Sequence, residues 1–256
     1  TTGQYNTAIG ALALDAAANA ESYNVAIGLA AMTSVVEGGS NHADYNVAIG
    51  YNALEGGTLS SADLIGNIAI GALAMDATGA NAQTGTIAIG HQALTALTSG
   101  ANNVAVGYQS LHDVNTGGSN VALGNYAGDN ITDGTENTCI GYAARTSATD
   151  STNQTVIGRA TTGVADNSVT LGNASVTAVY MASDSGATVH CEKVVTTGSM
   201  GLHIDPASGN SQVFFDSANS DFYITNVDGS GTLNFYDGSD DIMVLSASAN
   251  TATGDF

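Results

Sequence analysis

Asn46-Val47-Ala48-Ile49-Gly50-Tyr51-Asn52-Ala53-Leu54 is one copy of a short pattern that recurs along most of the chain. Its core, N-[VIT]-[AC]-[IVL]-G, occurs seven times, beginning at Asn6, Asn24, Asn46, Asn67, Asn103, Asn120 and Asn137. Three looser copies end at Gly90, Gly158 and Gly172, and in most copies the glycine is followed by x-x-[AS]-[LM]. Such a unit is too short to be a domain, so it predicts one coil of a solenoid whose neighbours stack to bury a core.

The spacing of the ten motif glycines locates the variable part of each coil. Successive glycines are 18, 22, 21, 19, 17, 17, 17, 17 and 14 residues apart. The extra residues fall between x-x-[AS]-[LM] and the next asparagine, in turn-forming segments such as Glu55-Gly56-Gly57 and Asn115-Thr116-Gly117-Gly118. Each coil is therefore predicted to have a strand of constant length and one loop of adjustable length.

The alternation of residue types within the motif predicts two different strand faces. In the copy that begins at Asn24, Val25 and Ile27 share one face and Ala26 occupies the other. We expect the β-branched pairs to stack into an aliphatic core inside the solenoid. The small residues would then face outward, toward another copy of the chain. They are Ala26, Ala48, Ala69, Ala88, Ala105, Ala122 and Cys139.

The pattern N-[VIT]-A-[IVL]-G-x-x-[AS] resembles the head repeat of trimeric autotransporter adhesins, the YadA-like head, and is similar to repeats in bacteriophage tail fibres. The resemblance covers about residues 1–178. It implies an all-β fold, a left-handed parallel β-roll or solenoid of about ten coils, built as a homotrimer with the alanine faces toward the three-fold axis. Only the last interval, 14 residues, matches the coil length of the YadA-like head, and the phage-fibre variety fits the longer coils better.

Beyond Met181 the composition changes. All five phenylalanines lie at or after position 214. Residues 211–215, 221–225, 232–236 and 241–245 predict short strands, with Asp228-Gly229 and Asp237-Gly238 as hairpin turns. We therefore divide the chain into a β-roll region with its neck, residues 1–178, and a C-terminal β-rich segment, residues 179–256, predicted to be a small β-meander. Residues 249–256 resemble the segment that precedes the self-cleaving chaperone of many phage fibres, which predicts a mature product or a fragment.

The charge of the chain restricts its partners. The sequence has 23 acidic residues against 3 Lys and Arg, a formal net charge of −20. Nucleic acid and anionic membranes attract clusters of Lys and Arg, so neither is an expected partner. No run of about 18 apolar residues is present, which predicts no membrane insertion. We expect a virion or extracellular location, with a bacterial cell surface as the alternative.

Motifs for catalysis or cofactor binding are not found, so we predict a protein that is not an enzyme and has no cofactor or metal. Polysaccharide cleavage needs paired carboxylates in a cleft, and the acids here show no such pairing. Asp237, Ser239 and Asp241 imitate the start of a calcium loop without its Gly and distal Glu. In a trimer, His190 or His203 near the axis would occur three times and could hold an ion. Cys139 occupies an alanine slot and is predicted to be a small buried residue.

Tyrosines flank the motif and allow two interpretations. Tyr5, Tyr23 and Tyr45 precede the asparagine, whereas Tyr51, Tyr108 and Tyr142 follow the glycine. We favour ladders that join neighbouring coils and stiffen the rod over a stripe that binds the faces of sugars.

Two further features are candidates for function. Arg159 matches the basic neck of YadA-like proteins, although a surface cation among acids is an equal alternative. If the roll carries a surface site, the longest inserts, residues 34–45 and 55–66, are the best candidates, with solvated turns as the alternative. Their side chains of interest are Glu37, Asn41, Asp44, Tyr45, Glu55 and Asp63.

The predicted function is a structural fibre of a bacteriophage, a tail or virion fibre involved in host-surface attachment. Its partners would be a host surface glycan or protein receptor and other virion proteins. The alternatives are the head of a bacterial trimeric autotransporter adhesin and a purely structural extracellular filament.

Overall fold

The computed structural model of the protein describes residues 3–15, 21–37, 42–56, 58–59, 63–78, 83–179, 232–236 and 241–246. The chain divides into two compact units, Thr1–Ala187 and Thr188–Phe256. The boundary predicted after residue 178 stays a prediction. All regular structure in the described ranges is β-strand, and no helix there is long and apolar enough to cross a membrane.

Most strands are short. Those described are β1 (Thr7–Ile9), β2 (Val25–Ile27), β3 (Val36–Glu37), β4 (Ala43–Asp44), β5 (Val47–Ile49), β6 (Thr58–Leu59), β7 (Leu64–Ile65), β8 (Ile68–Ile70), β9 (Gln83–Thr84), β10 (Ile87–Ile89), β11 (Val104–Val106), β12 (Val121–Leu123), β13 (Thr138–Ile140), β14 (Gln154–Ile157), β15 (Ser168–Leu171), β16 (Thr232–Tyr236) and β17 (Asp241–Ser246). The ten motif copies supply β1, β2, β5, β8 and β10 to β15.

The motif strands form one parallel sheet of ten strands in chain order. Each strand pairs with the next in a register that sets equivalent motif positions side by side, as Ala105 and Ala122 are. This confirms the parallel solenoid, which makes about eight turns rather than the ten coils expected. Ten strands enclose nine intervals, and the end strands are less covered: all three residues of β1 are exposed. The left-handed sense of the coil stays a prediction.

The longer inserts add small parallel sheets to the other sides of the solenoid. Strands β4, β7 and β9 form one sheet, and β3 pairs with β6 in another. Further along, where coils shorten to 17 residues or fewer, the described connections contain only isolated bridges, such as Thr135 to Thr152. Insert length therefore changes the sides of the coil while the ten-stranded sheet continues unchanged.

The orientation of the motif strands is the reverse of the one predicted. Ala26, Ala48, Ala69, Ala88, Ala105, Ala122 and Cys139 are all fully buried within their own chain and belong to its hydrophobic core. Their β-branched neighbours are only partly buried or exposed, as Val121 and Leu123 are in β12. These small residues are therefore not an outward trimer-axis face. The outward face carries Val, Ile and Leu.

The small size of these residues follows from the thin interior of the coil. The x-x-[AS]-[LM] segment returns opposite the sheet, and Ala53, Leu54 and their equivalents in the neighbouring coils are also fully buried, whereas Ala13 and Leu14 in the first coil are only partly buried. At Gly128 a Cβ would lie 2.6 Å from Leu111 Cδ2 and 3.7 Å from the Ala122 Cβ. Leucine or methionine from the return segment fills most of the interior. The central position of most motif strands therefore has room only for alanine or cysteine.

The glycine that ends each motif is required by its backbone and by its neighbour. Gly107 has φ of 141°, a conformation that L side chains rarely adopt. A Cβ at Gly107 would lie 2.5 Å from the carbonyl C and O of Gly124 in the next coil. The motif glycines therefore stack backbone on backbone, closer than any side chain permits.

Up to three left-handed corners per coil bend the chain around the core. In the coil that contains β5 they are Tyr45, Asn52 and Leu54, with φ of 60°, 50° and 49°. A non-glycine residue in this conformation costs roughly 1–2 kcal/mol. Each corner donates its backbone N–H to a neighbouring coil: Tyr45 to the carbonyl of Ser22, Asn52 to Leu29, and Leu54 to Ala74. Hydrogen bonds between coils thus offset strain within the coil.

The motif asparagines form a buried ladder of hydrogen bonds. Asn46 Oδ1 accepts from the backbone N and from Nδ2 of Asn67, both at 3.0 Å. Asn46 Nδ2 donates to the carbonyl of Leu64 at 2.7 Å. The same contacts recur at Asn120, which bonds Asn137 and Gly134. Each asparagine in this ladder therefore satisfies polar groups of the next coil.

Thr86 interrupts this ladder. Its backbone N donates to Asn67 Oδ1 at 3.0 Å, but the shorter Thr86 Oγ1 is buried without a hydrogen-bond partner. A buried hydroxyl without a partner destabilises a fold by about 1–3 kcal/mol.

The C-terminal unit is described only at its last two strands. β16 pairs antiparallel with β17, with Leu233 opposite Leu245. This confirms two of the four strands predicted there. The strands predicted at residues 211–215 and 221–225 lie outside the described residues, so the complete meander stays a prediction.

We expect Gly107→Ala to reduce the free energy of unfolding by at least about 3 kcal/mol, because the methyl group meets the Gly124 backbone and φ is unfavourable. Urea denaturation of both proteins measures this. Gly66→Ala is the matched control: Gly66 has φ of 69° and open space around its Cβ position, so the loss should be no more than about 1–2 kcal/mol. Equal losses would contradict the stacked-glycine geometry.

Thr86→Asn should stabilise the protein by about 1–2 kcal/mol, since asparagine would complete the ladder with Asn103 and the Gly100 carbonyl. The reverse substitution, Asn120→Thr, should destabilise it by a similar amount. Thermal melts of the two variants test the pair. A stabilised Asn120→Thr or a destabilised Thr86→Asn would show that the ladder does not stabilise the coils.

Candidate functional site

The outward side of the ten-stranded sheet, which we call the outer sheet face, runs the length of the solenoid. It consists of the residues on either side of the central position in each motif strand. They are Thr7, Ile9, Val25, Ile27, Val47, Ile49, Ile68, Ile70, Ile87, Ile89, Val104, Val106, Val121, Leu123, Thr138, Ile140, Thr155, Ile157, Val169 and Leu171. No charged side chain interrupts the two columns, and Leu123 is 50% exposed. At a strand spacing of about 4.8 Å the face is about 43 Å long.

The first tyrosine ladder runs along one edge of this face. The rings of Tyr5 and Tyr23 are stacked with centroids 5.0 Å apart, and those of Tyr23 and Tyr45 are 4.8 Å apart and within 4° of parallel. These spacings equal the distance between coils, so the predicted ladder is confirmed for these three residues. Inside the stack the ring faces cover one another, which leaves a sugar only the edges and the ends.

A second aromatic column follows the motif glycines at the other edge. His91 stacks on Tyr108 at 5.4 Å, whereas Tyr108, Tyr126 and Tyr142 meet edge to face at 5.3 and 6.0 Å. Arg159 ends the column, with its guanidinium carbon 5.8 Å from the centre of the Tyr142 ring. Arg159 thus packs on an aromatic ring at the last described coils, and its assignment to a neck stays a prediction.

The other described cation belongs to an ion pair. Arg145 donates from Nε and a terminal nitrogen to both carboxylate oxygens of Asp129, at 2.6 and 2.7 Å. These hydrogen bonds raise the pKa of Arg145 above its ordinary value. The Arg145 side chain is half exposed, whereas that of Asp129 is 16% exposed, so solvent screens the pair from the arginine side and its contribution to stability is small.

The acidic side chains proposed for a loop site are occupied locally. Asp44 accepts the backbone N–H of Ser22 at 2.7 Å, and Asp63 accepts that of His42 at 2.9 Å. Glu55 accepts from Asn52 Nδ2 at 2.9 Å. The contacts of Asp44 and Asp63 join neighbouring coils, and that of Glu55 supports a turn. The structure does not bring these carboxylates together around one centre.

The other residues proposed for a loop site are Glu37, Asn41 and Tyr45. Glu37 lies in strand β3, and Asn41 lies outside the described residues. Tyr45 ends the first tyrosine ladder and is 57% exposed, which makes it the member of the set best placed to meet a ligand. Within the described ranges, no three His, Cys, Asp or Glu side chains are grouped so as to hold a metal ion. His190, His203 and Asp237 lie outside them.

Two polar groups show how burial and hydrogen bonding change ionisation in the coil. Burial raises the pKa of the Cys139 thiol to about 12, as expected for a small residue inside the core. At Asp166, the N–H of Thr152 and then the side chain of Gln154 lower the pKa of the carboxyl. Neither arrangement resembles an activated nucleophile or an acid–base pair.

Sequence reasoning missed one buried carboxyl group. Glu21 is fully buried, and neither of its carboxyl oxygens has a hydrogen-bond partner among the described residues. It stands three residues before its motif asparagine, a position occupied by Ala43 and Leu64 in the next coils. That position faces the interior. The alignment of the repeats could therefore have predicted that Glu21 is buried, once it was known which strand positions point inward.

No family model matches the chain, and neither a curated protein nor a solved structure matches it.

The buried position of Cys139 predicts a thiol that does not react in the folded protein. In a Cys191→Ser background, a disulfide-exchange reagent at pH 8 should modify Cys139 only after denaturant unfolds the chain, because the thiolate is scarce and the sulfur inaccessible. Absorbance of the released thiol measures the rate. Rapid modification without denaturant would contradict the inward orientation of the motif's central residue.

Proposed function

We propose that this chain is a subunit of a homotrimeric structural fibre of a bacteriophage, a tail or virion fibre that holds host-attachment surfaces away from the particle. The observation that carries the proposal is the outer sheet face. A strip about 43 Å long and about 10 Å wide has an area on the order of 400 Å², a size at which apolar patches on monomers often mark interaction sites.

A second copy of the chain is the occupant that best suits this face. One column consists of Ile, Val and Leu throughout, and the other of Val and Ile with threonine at positions 7, 138 and 155. Both repeat at the coil spacing, so identical faces can match rung by rung along the whole length. Neighbouring carboxylates would repel an acidic partner at most other surfaces, since the chain carries a net charge of −20. The outer sheet face, which has no charged residue, avoids that repulsion. The number three comes from the resemblance to YadA-like and phage-fibre repeats.

The resemblance and the coil lengths favour a phage fibre over the head of a bacterial adhesin. The described coils have intervals of 17 to 22 residues until the final one of 14. Insert-bearing coils are typical of phage fibres by the same resemblance. The adhesin head remains the second candidate because it shares the motif, and its location would be the bacterial surface.

The inserts supply the surfaces that such a fibre would present. They form the small sheets β4–β7–β9 and β3–β6 on the sides of the coil, and Tyr45 is exposed at their border. We propose that a host glycan or protein receptor meets these sides and that other virion proteins hold the ends of the rod.

Replacing Val106 and Leu123 together with lysine should convert the trimer into monomers, because two charges would be buried on adjacent strands of the outer sheet face. Multi-angle light scattering at neutral pH measures the mass. The control carries the same change in charge off the face, as Ala148→Lys with Val164→Lys, both at exposed positions. That control should remain trimeric.

A wild-type protein that is a stable monomer at micromolar concentration would overturn the fibre proposal. Dissociation of the control as readily as of the Val106 and Leu123 variant would instead move the interface away from the outer sheet face.

A further inference from the structure

The first tyrosine ladder ends in a notch. The next positions of its column are Gly66 and Gly85, and Asn102 follows. The backbone bonds confirm the alignment, since Gly66 N donates to Asp44, Gly85 N to Ile65, and Asn102 N to Thr84. A Cβ at Gly66 would meet nothing within 4 Å. Within the part of the chain that the structure describes, the ring face of Tyr45 that points away from Tyr23 therefore borders open space.

The far wall of the notch is polar. Asn102 Oδ1 lies 3.3 Å from the position of a Cβ on Gly85, so the carboxamide leans over the Gly85 coil. Two coil spacings, each about 4.8 Å, separate the Tyr45 ring from the Gly85 level. A ring held at the level of Gly66 would contact the aromatic face on one side and the amide on the other.

We infer that this notch binds a neutral hexopyranose, stacked on Tyr45 and hydrogen-bonded to Asn102. A pyranose presents a C–H face that packs on an aromatic ring, and hydroxyl groups at its edge that an amide can bond as donor or acceptor. An aromatic side chain from another protein would match Tyr45 and leave Asn102 without a partner. The inference deepens the proposed attachment role and rests on it for its biological setting.

The charges around the notch select against acidic sugars. Asp44 precedes Tyr45 directly, and Asp63 lies in the next coil, three residues before Gly66. The described cations, Arg145 and Arg159, lie several coils away along the solenoid. A uronic or sialic acid would meet like charge with no compensating cation, whereas neutral hexoses carry no such penalty.

Saturation-transfer NMR on the full chain tests the site, with methyl β-glucopyranoside and methyl β-galactopyranoside as probes and glucuronate as the acidic comparison. We expect transfer to at least one neutral probe and weaker transfer to glucuronate. In Asn102→Gly, which keeps the left-handed backbone, the affinity should fall about two- to tenfold through loss of one hydrogen bond.

The decisive variant fills the notch. Gly66→Asn with Gly85→Asn places asparagine at φ of 69° and 65°, which this residue tolerates, and should reduce binding at least tenfold. Ser119→Asn is the matched control, since it introduces the same residue at φ of 60° in the same column outside the notch. Thermal melts show that both variants fold.

The result that supports the inference is binding that is lost in the double variant and kept in the control. Binding kept in the double variant, lost equally in both, preferential for glucuronate, or absent in the wild type would overturn it. Light scattering on the same samples keeps the two proposals separate. A trimer that binds no sugar overturns only the notch, and a monomer that binds sugar overturns only the fibre.

Discussion

Backbone packs directly against backbone wherever a motif glycine stacks on the glycine of the next coil, and the rest of the solenoid depends on that close approach. With a Cβ excluded on both sides, successive coils lie at the spacing of a parallel sheet and share one register. The register brings asparagine over asparagine and tyrosine over tyrosine. The same tightness leaves a thin interior that alanine and a single leucine or methionine layer can fill.

The residues with strained backbone conformations also form hydrogen bonds between coils. Left-handed residues at up to three corners per coil would destabilise an isolated turn, but most of these corners donate a backbone hydrogen bond to a neighbouring coil. A single coil therefore has little reason to fold alone, whereas a stack gains contacts with every addition. The asparagine ladder supplies the buried polar contacts, and Thr86 marks the one motif position in the described ladder where a threonine replaces the amide.

The sequence contained the architecture but left the direction of its faces undecided. Glycine spacing located all ten strands and the variable loops, because strict periodicity reflects a repeated backbone. Alternation within a three-residue strand is symmetric, however, and does not say which face is inside. We placed Val25 and Ile27 inside because larger aliphatic residues usually fill a core, but Leu and Met of the return segment already fill this one. The buried Glu21 escaped notice for the same reason.

The reversed orientation of the motif strands leaves the predicted fold unchanged but alters which surface is proposed to bind a second chain. Alanines at a trimer axis would give a flat, weakly apolar contact, whereas the outer sheet face provides one continuous aliphatic column and a second that threonines interrupt. The proposed self-association, the proposed projection of the insert sheets and the proposed recognition at the Tyr45 notch would then involve separate parts of each coil. Longer inserts can vary without disturbing the columns, which suits a fibre whose shaft is constant and whose surface is specific.

An isotope-filtered NOE experiment tests the central claim, the inward orientation of the motif's middle residue. Leu111 Cδ2 and the Ala122 Cβ come from neighbouring coils, and both approach the Gly128 position in the interior of the solenoid. In a sample mixed from labelled and unlabelled chains, the account predicts a methyl–methyl NOE between Leu111 and Ala122 within the same chain. An Ala122 methyl whose contacts appear only between differently labelled chains would contradict it.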